Sequence, residues 1–334
     1  MFRYLLKRIV SMIPIIIGLS ILMFILSRLM PGDSVRLALG PDATATQIAQ
    51  LEHELGLDKP LFMQYFDYLF GFVRGDMGMS LRTNRNVFFD VQETLPATLE
   101  LVILAMLIAV VVGVPLGVLA STNYNKLPDF IVRLFSMSGI ALPTFLTAIL
   151  LQIIFGYWLG WMPIIGRGAI QPENITGFRL IDSIITGNLP ALGNSIKHLI
   201  LPAISLSIAS SAQIMRLTRT NMLERVNKDY ILAARSYGLP DDLVENRYML
   251  KNSFTSVLTL IGMQFGSLIG NAFLVETVFG WPGMAQYSIN GLIYKDYNAI
   301  ISVTLVIGIF FALINMVIDV LYSAIDPRIK LGGS

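Results

Sequence analysis

Hydrophobic residues in this chain fall into long blocks rather than short alternating runs. Stretches free of Asp, Glu, Lys and Arg cover Ile9–Ser27, Leu101–Asn125, Leu134–Gly166, Leu199–Met215, Asn252–Val275 and Tyr297–Ile318. A helix needs about 20 mostly apolar residues to cross roughly 30 Å of hydrocarbon, because every backbone polar group must be satisfied within the segment. The pattern predicts six spans, at about 9–29, 99–121, 133–158, 198–217, 253–275 and 298–321. The third block is long enough for a full helix plus an apolar loop. The fourth is short, and Lys197 and His198 beside it can snorkel to the interface. The first follows Arg3, Lys7 and Arg8 but exceeds the ~7–15-residue core of a signal peptide. No small-residue cleavage site follows it at Leu29-Met30-Pro31-Gly32, so it is expected to stay as an anchor.

Composition agrees with a membrane class. Of 334 residues, 54% are hydrophobic and 14% charged, against about 25% charged in soluble domains. The same figures exclude disorder. A net charge of +2 gives no electrostatic footprint for nucleic acid. Charge placement is more informative. With the N-terminus inside, Arg3, Lys7, Arg8, Lys126, Arg133, the seven basic residues from Arg216 to Lys251, Arg328 and Lys330 face the cytoplasm, fourteen of the 24 Lys and Arg. The other ten spread over three longer segments that also carry most of the acids. The positive-inside rule then places both termini in the cytoplasm.

The polar pieces sort accordingly. Outside lie a large segment, 31–96, a medium one near Trp161–Ile196 and a short one near Glu276–Asn298. Within the large segment, Ile48, Leu51 and Leu55 repeat at helical spacing and Gly56 can cap that helix; Leu61–Val73 reads as a second, amphipathic helix. Inside, the loop 218–251 dominates. Asp229–Gly238 predicts a short helix ended by a glycine, with Leu239-Pro240 breaking the chain and Asp241 or Asp242 capping the next helix. Tyr230, Ala233, Ala234 and Tyr237 share a stripe by i, i+3, i+4, i+7 spacing. Two alanines between two tyrosines make a narrow face, fitted either to a closely approaching partner or to the bilayer surface.

Candidate chemistry is sparse. Cysteine is absent, which removes disulfides, thiol catalysis and thiolate metal sites. His53 and His198 cannot alone make a metal centre, and no metal is expected. No phosphate-binding loop, H-E-x-x-H, G-x-S-x-G or dinucleotide fingerprint occurs. The six cores hold no ionisable residue, whereas gradient-driven carriers usually show one; Asp319 sits at an inner end. The polar groups within spans are Gln152, Ser205, Ser207, Ser210, Ser211, Gln264, Asn271 and Asn315. Gly262, Gly266 and Gly270 repeat every four residues on span five, as do Ala203, Ser207 and Ser211 on span four, and such stripes let helices approach closely. They serve tight packing within the subunit, the wall of a translocation path, or an interface to a sister subunit. Residue physics thus leaves two classes: a passive or gradient-driven pore, or the membrane subunit of a machine whose motor is another chain.

Motifs along the whole length narrow this. They are Arg3-Tyr-Leu-Leu-Lys-Arg8, Pro31-Gly-Asp33, Leu55-Gly-Leu-Asp-Lys-Pro60, Gly75-Asp-Met-Gly78, Ser80-Leu-Arg82, Pro96-Ala-Thr-Leu-Glu100, Gly113-Val-Pro-Leu-Gly117, Thr176-Gly-Phe178, Leu180-Ile-Asp182, Leu201-Pro-Ala203, Met215-Arg-Leu-Thr-Arg219, Met222-Leu-Glu224, Glu276-Thr-Val-Phe279, Trp281-Pro-Gly283 and Asp326-Pro-Arg328. In order and spacing the chain resembles the bacterial ATP-binding-cassette importer permeases of the peptide/nickel (oligopeptide/dipeptide) group, most of all the first (B-type) branch of dipeptide permeases. The resemblance implies an all-α, six-span type I importer transmembrane domain covering 1–334, in the bacterial inner membrane, and not an enzyme. It implies no cofactor in this chain, with ATP and Mg used by two partner ATPase subunits. A second, homologous permease subunit, an extracytoplasmic substrate-binding protein and the lipid bilayer complete its partners. The family's Glu-Ala-Ala-x-x-x-Gly pattern for the ATPase-docking (coupling) helix falls on Leu232, Ala233, Ala234 and Gly238, with leucine in place of the glutamate and Lys251 where the broad pattern has a proline. This assigns docking to Tyr230, Ala233, Ala234, Arg235, Tyr237 and Gly238, and leaves Ser207, Ser211, Gly262, Gly266, Gly270 and Asn271 to the path or a helix interface. Substrate is expected to be a short peptide. Nickel chelates, haem, glutathione and antimicrobial peptides are the alternatives within the group, and a stand-alone channel or secondary carrier is the rival class.

Overall fold

The computed structural model describes residues 2–29, 35, 39–40, 42–54 and 56–325; the side chains of 2–9, 27, 319 and 321–325 lie outside that description. Pro31-Gly-Asp33, Leu55, Asp319 as a side chain, and Asp326-Pro-Arg328 with Lys330 therefore fall beyond it. The regular elements of the described chain are helices, with one isolated bridge between Met79 and Asn86. In order the helices are α1 (Phe2–Leu29), α2 (Ala45–Glu54), α3 (Leu61–Val73), α4 (Val87–Thr122), α5 (Leu127–Ala141), α6 (Thr144–Leu151), α7 (Arg179–Ile185), α8 (Leu189–Leu223), α9 (Asp229–Ser236), α10 (Lys251–Val278), α11 (Met284–Tyr294) and α12 (Tyr297–Ile325). Wider π-helical turns run on from α6 (Gln152–Trp158) and into α10 (Val244–Leu250).

Among the described residues, four helices are long and apolar enough to cross a membrane: Val87–Thr122, Leu189–Leu223, Asp241–Val278 and Tyr297–Ile318. The expected third span, 133–158, is not one rod. Leu127–Ala141 and Thr144–Trp158 meet at 108°, and counting this bent pair as one span gives five. Pro143 causes the break: it has no N–H to continue the ladder, and its ring forces Leu142 into extended backbone (φ −83°, ψ 127°). The apolar part of α1, Val10–Leu26, is 17 residues long and shorter than the other candidates. Helices also outrun their predicted boundaries. α4 begins at Val87, inside the segment assigned to the outside, and α8 covers 35 residues although its charge-free core is short. Its outer turns carry Lys197 and His198, which a helix tolerates once the apolar core is past.

The chain forms two compact units. The described parts of Met1–Thr98, Ile175–Phe178 and Pro282–Leu313 make one; those of Leu99–Asn174, Arg179–Trp281 and Ile314–Ser334 make the other. In the first, Met77, Val87, Val91, Met284, Tyr287, Ala299 and Val303 form a buried core, and a second cluster sets Phe24 of α1 against Ile301 and Leu305 of α12. Two carboxylates are folded into this unit. Asp90 accepts from Tyr287 Oη (2.8 Å), Thr83 Oγ1 (2.7 Å) and the Arg85 guanidinium, while Asp296 accepts from Ser80 Oγ and from the Ala299 N–H.

Burial holds the Asp296 carboxyl above the usual carboxylate range, against the opposing hydrogen bonds from Ser80 and backbone amides. Between the unfolded value of about 3.9 and the raised folded value, the native state keeps a proton that the unfolded chain has lost. Stability is therefore full below about pH 4 and falls as pH rises through the folded pKa. Melting temperatures between about pH 4 and pH 7 should decline in the wild type and decline less in Asp296→Asn, whose side chain cannot ionise. Parallel curves for the two proteins would refute this.

In the second unit α8 is the central helix, packed by α5, α6, α7 and α10. Sixteen of its residues are buried, including Ser195, Ser205, Ser207, Ser210, Ser211 and Thr218. Their hydroxyls suit a helix interior because several bond to carbonyls of the preceding turn, as Ser205 does to Leu201 (3.1 Å) and Ser207 to Ile204 (2.9 Å).

Candidate functional site

The short helix α9 is bound to the protein by one face. Asp229 stands in its first turn, where the helix dipole favours an acid. Ile231 and Ala234, three residues apart, turn inward onto a buried cluster with Met222 of α8 and with Val244 and Met249 before α10. Gly238 ends the helix at φ +74°, a conformation a side chain would strain. Its N–H reaches Arg235 O (2.9 Å) and the Leu239 N–H reaches Ala234 O (3.3 Å), the paired bonds of a Schellman end, and Leu239 packs on the same cluster. Ten residues thus form one rigid knob fixed to the ends of α8 and α10.

The outward face differs from the expected one. Tyr230, Ala233 and Tyr237 are exposed, Tyr237 at 87%, and so are Leu232, Arg235 and Gly238. Ala234 is 6% exposed and faces the protein's own core. Ile231 and Ala234, three residues apart, share one face of the helix, so Ala234 cannot face outward beside Ala233 while Ile231 is buried. The accessible face is therefore Tyr230, Ala233 and Tyr237, with Arg235 beside it, 3.6 Å from Asp241. A bulky residue at Ala234 would probe core packing; Ala233 is the position that probes the surface.

The small-residue stripes also divide. Gly262 is buried, and a Cβ there would stand 3.2 Å from Ile318 of α12. Gly266 is half-buried, whereas Gly270 is exposed, with nothing within 4 Å of where its Cβ would be. The stripe is thus not alike along its length: at Gly262 it meets α12, and at Gly270 it is open. Half-buried Asn271 donates to Ser267 O (2.8 Å) and Oγ (3.3 Å) on its own helix. Ser207 and Ser211 are buried in the packing of α8. A Cβ on Gly113 would lie 2.9 Å from Ser211 O, and one on Gly117 would lie 2.7 Å from Met215 O. On another side of α8, Gly139 approaches Ala212 Cβ at 3.0 Å. The close seam belongs to Gly113-x-x-x-Gly117 of α4, a small-x-x-x-small signal present in the sequence but not read there as a packing face.

Sequence reasoning also missed three polar constellations. Ser210 Oγ donates to Gln264 Oε1 (2.9 Å), and Gln264 Nε2 to Gln213 Oε1 (2.8 Å), an uncharged ladder joining α8 and α10. At the α9 end, Arg219 grips the fully buried Asp129 with two bonds, 2.6 and 2.9 Å, tying α5 to α8. At the opposite end, Glu100 accepts from Arg167 Nη2 (2.6 Å) and from the Leu180 N–H (2.7 Å), while Arg179 donates to Arg167 O (2.6 Å) and Gly168 O (2.8 Å). Arg167 also lies over the buried Trp281 ring at 5.8 Å. Burial, and Arg167 beside it, lower the Arg179 pKa without discharging it. No spacing rule links positions 100, 167, 179 and 281; only folding brings them together.

The site holds no group of His, Asp and Glu able to bind a metal among the described residues. It offers instead an exposed knob anchored to a bundle whose helices are joined by the Ser210–Gln264–Gln213, Asp129–Arg219 and Glu100–Arg167 links, an arrangement suited to mechanical transmission.

Comparison with known proteins gives a consistent result. Residues 113–331 match the family described as binding-protein-dependent transport system inner membrane component, and residues 1–102 match the family describing the N-terminal part of such membrane components. The dipeptide transport system permease protein DppB of Alkalihalophilus pseudofirmus is 40% identical over 99% of this chain and 100% of its own length. The di/tripeptide transport system permease protein DppB of Pseudomonas aeruginosa is 37% identical over 99% of both chains. Among solved structures, the inward-facing MetNI methionine ABC transporter shares the fold, with a TM-score of 0.51 and 16% identity over 69% of this chain and 93% of that one. Matched along nearly its whole length, this chain belongs to the binding-protein-dependent transport system inner membrane components, the non-catalytic permease subunits of ABC importers.

Proposed function

We propose that this chain is one permease of a two-permease, ATP-driven importer that carries di- and oligopeptides inward by alternating access. Its relatives are dipeptide and di/tripeptide permeases, and importers of this family work with ATPase and binding-protein partners. In this reading the bundle spans the membrane six times, with α1 and the bent α5–α6 pair as spans and both termini in the cytoplasm. A related permease sits opposite, two ATPases dock below, and an extracytoplasmic binding protein delivers substrate. Gly270 and Asn271, the open end of the span-five stripe, face the passage; Ser207, Ser211 and Gly262 hold helices together.

The observation that carries the proposal is the geometry of α9: an exposed Tyr230–Ala233–Tyr237 face on a helix whose other face is locked into the chain's own core. Such a helix cannot rotate independently, so a force applied to its outer face is transmitted to α8 and α10. Coupling then consists of two bundle states whose equilibrium is biased by nucleotide bound to another chain. Replacing Ala233 with Trp is expected to abolish uptake while membrane insertion stays normal, since that side chain points away from the core. Peptide uptake at wild-type rate, with the ATPases still co-purifying, would remove the docking role.

A further inference from the structure

Two cavities in the unit that contains α1 meet at Phe24, Arg28 and Gln64. One, of about 300 Å³, is polar and reaches Lys59, Asp67, Tyr68 and Asn298. The other, of about 610 Å³, is an apolar groove between Ile21 and Ile25 of α1 and Leu61, Phe62 and Tyr65 of α3. Most charges around the polar chamber already have partners. Lys59 Nζ bonds Asp67 (2.7 Å), His53 meets Asp58 (2.8 Å), Glu54 accepts from Gln50 (3.1 Å), and Asp76 accepts from Asn86 (2.6 Å).

Arg28 and Gln64 are different. The Arg28 guanidinium lies over the rings of Phe24 (5.2 Å) and Tyr297 (5.4 Å), yet its Nε is buried without a hydrogen-bond partner, and no carboxylate among the described residues is paired with it. Gln64 is nine-tenths buried; its amide nitrogen donates to Leu57 O (3.0 Å) and Lys59 O (2.7 Å), which leaves the buried Oε1 with no donor. A half-buried guanidinium with a buried, unpartnered Nε and a buried acceptor left open are both costly, and they lie where the two cavities join. Arg28 follows the apolar stretch Val10–Leu26 by two residues, which, with α1 read as a span, sets it among the lipid headgroups. Ile25 and Ile21, one and two turns below, are exposed on the same helix and continue the groove along it.

We propose that this joint binds one phosphatidylethanolamine molecule of the outer leaflet. Its phosphate takes the Arg28 guanidinium, its ammonium donates to Gln64 Oε1, and one acyl chain lies in the groove against Ile21, Ile25 and Phe62. A free phosphate would leave the groove and the Gln64 acceptor empty, and a lipid with a hydroxyl-only headgroup would lack the second cation–acceptor match. The site ties α1 to α3 through a lipid; its place in the outer leaflet rests on the reading above of α1 as a span with a cytoplasmic N-terminus, whereas the lipid's identity does not rest on what the importer carries.

Lipid retained by the full chain, purified with its co-purifying partners and reloaded in discs of mixed palmitoyl-oleoyl phosphatidylethanolamine and phosphatidylglycerol, tests this by native mass spectrometry. The expected result is one phosphatidylethanolamine held through delipidation, with occupancy about tenfold lower in Arg28→Gln. Phe62→Ser, at a side chain 66% exposed and free of core packing, should lower occupancy too, and it decides the matter if the Arg28 variant does not fold. Wild-type retention in folded Arg28→Gln, or in Phe62→Ser, would overturn the proposal. So would equal retention of phosphatidylglycerol, or displacement by inorganic phosphate or by a dipeptide. A photoreactive residue at Phe62 should cross-link lipid; cross-linking to a second permease chain instead would show that a protein covers this face.

Discussion

Glu100→Ala is expected to destabilise the protein by about 3–5 kcal/mol, because it removes one partner of a buried ion pair and leaves the other in place. The carboxylate is 6% exposed and receives both Arg167 and the Leu180 N–H. Its loss leaves two donors on the segment around 167–180 to find new acceptors in a site from which water is excluded. Glu100→Gln keeps the size and one acceptor oxygen and should cost less. Replacing the pair together, Glu100→Gln with Arg167→Met, should recover much of the loss, since the expense lies in the stranded charge rather than in the missing attraction. Unfolding free energies in detergent, taken as a double-mutant cycle, measure this. Additive losses across the cycle would mean that the two residues act independently.

Gly117→Leu is the second change with a large expected effect. A Cβ alone would stand 2.7 Å from Met215 O and 2.6 Å from Thr218 Cβ. The nearer obstacles are a backbone oxygen and a side-chain branch point, neither of which can rotate away, so α4 and α8 must separate. Overpacking of this kind costs about 1–3 kcal/mol, and separation should also weaken the neighbouring Gly113 contact, which meets Ser211 O at 2.9 Å. Gly270→Leu supplies the contrast, since its Cβ meets nothing within 4 Å in this chain. Thermal unfolding should show a large drop for Gly117→Leu and little change for Gly270→Leu. If Gly270→Leu leaves the fold intact but stops uptake, the glycine serves the passage or the partner permease rather than this subunit's core.

Several features were legible because their physics is local. Gly238 marks the end of α9, and the apolar blocks locate the long helices, since hydrocarbon burial must be written as an uninterrupted run. Pro143 also stood in plain sight within the third block. The block was apolar on both sides of it, so composition could not distinguish a kinked span from a broken one; the 108° turn depends on what each half packs against. Ala233 and Ala234 show the limit at a candidate site. Adjacent on the helix and chemically identical, they are separated only by which of them faces Met222, Val244 and Met249.

By itself the sequence determined that this is a helical membrane protein with long apolar helices, and where the short helix closed by Gly238 ends. Those conclusions follow from composition, run length and turn residues, quantities fixed within a few tens of positions. Tertiary structure alone decided which small residues pack, which alanine is outward, and that Glu100 meets Arg167 and Asp129 meets Arg219. These are pairings over 67 and 90 positions, and a pairing at such separation has no local signature. It is set by the helix packing that brings the two ends of the chain segment together.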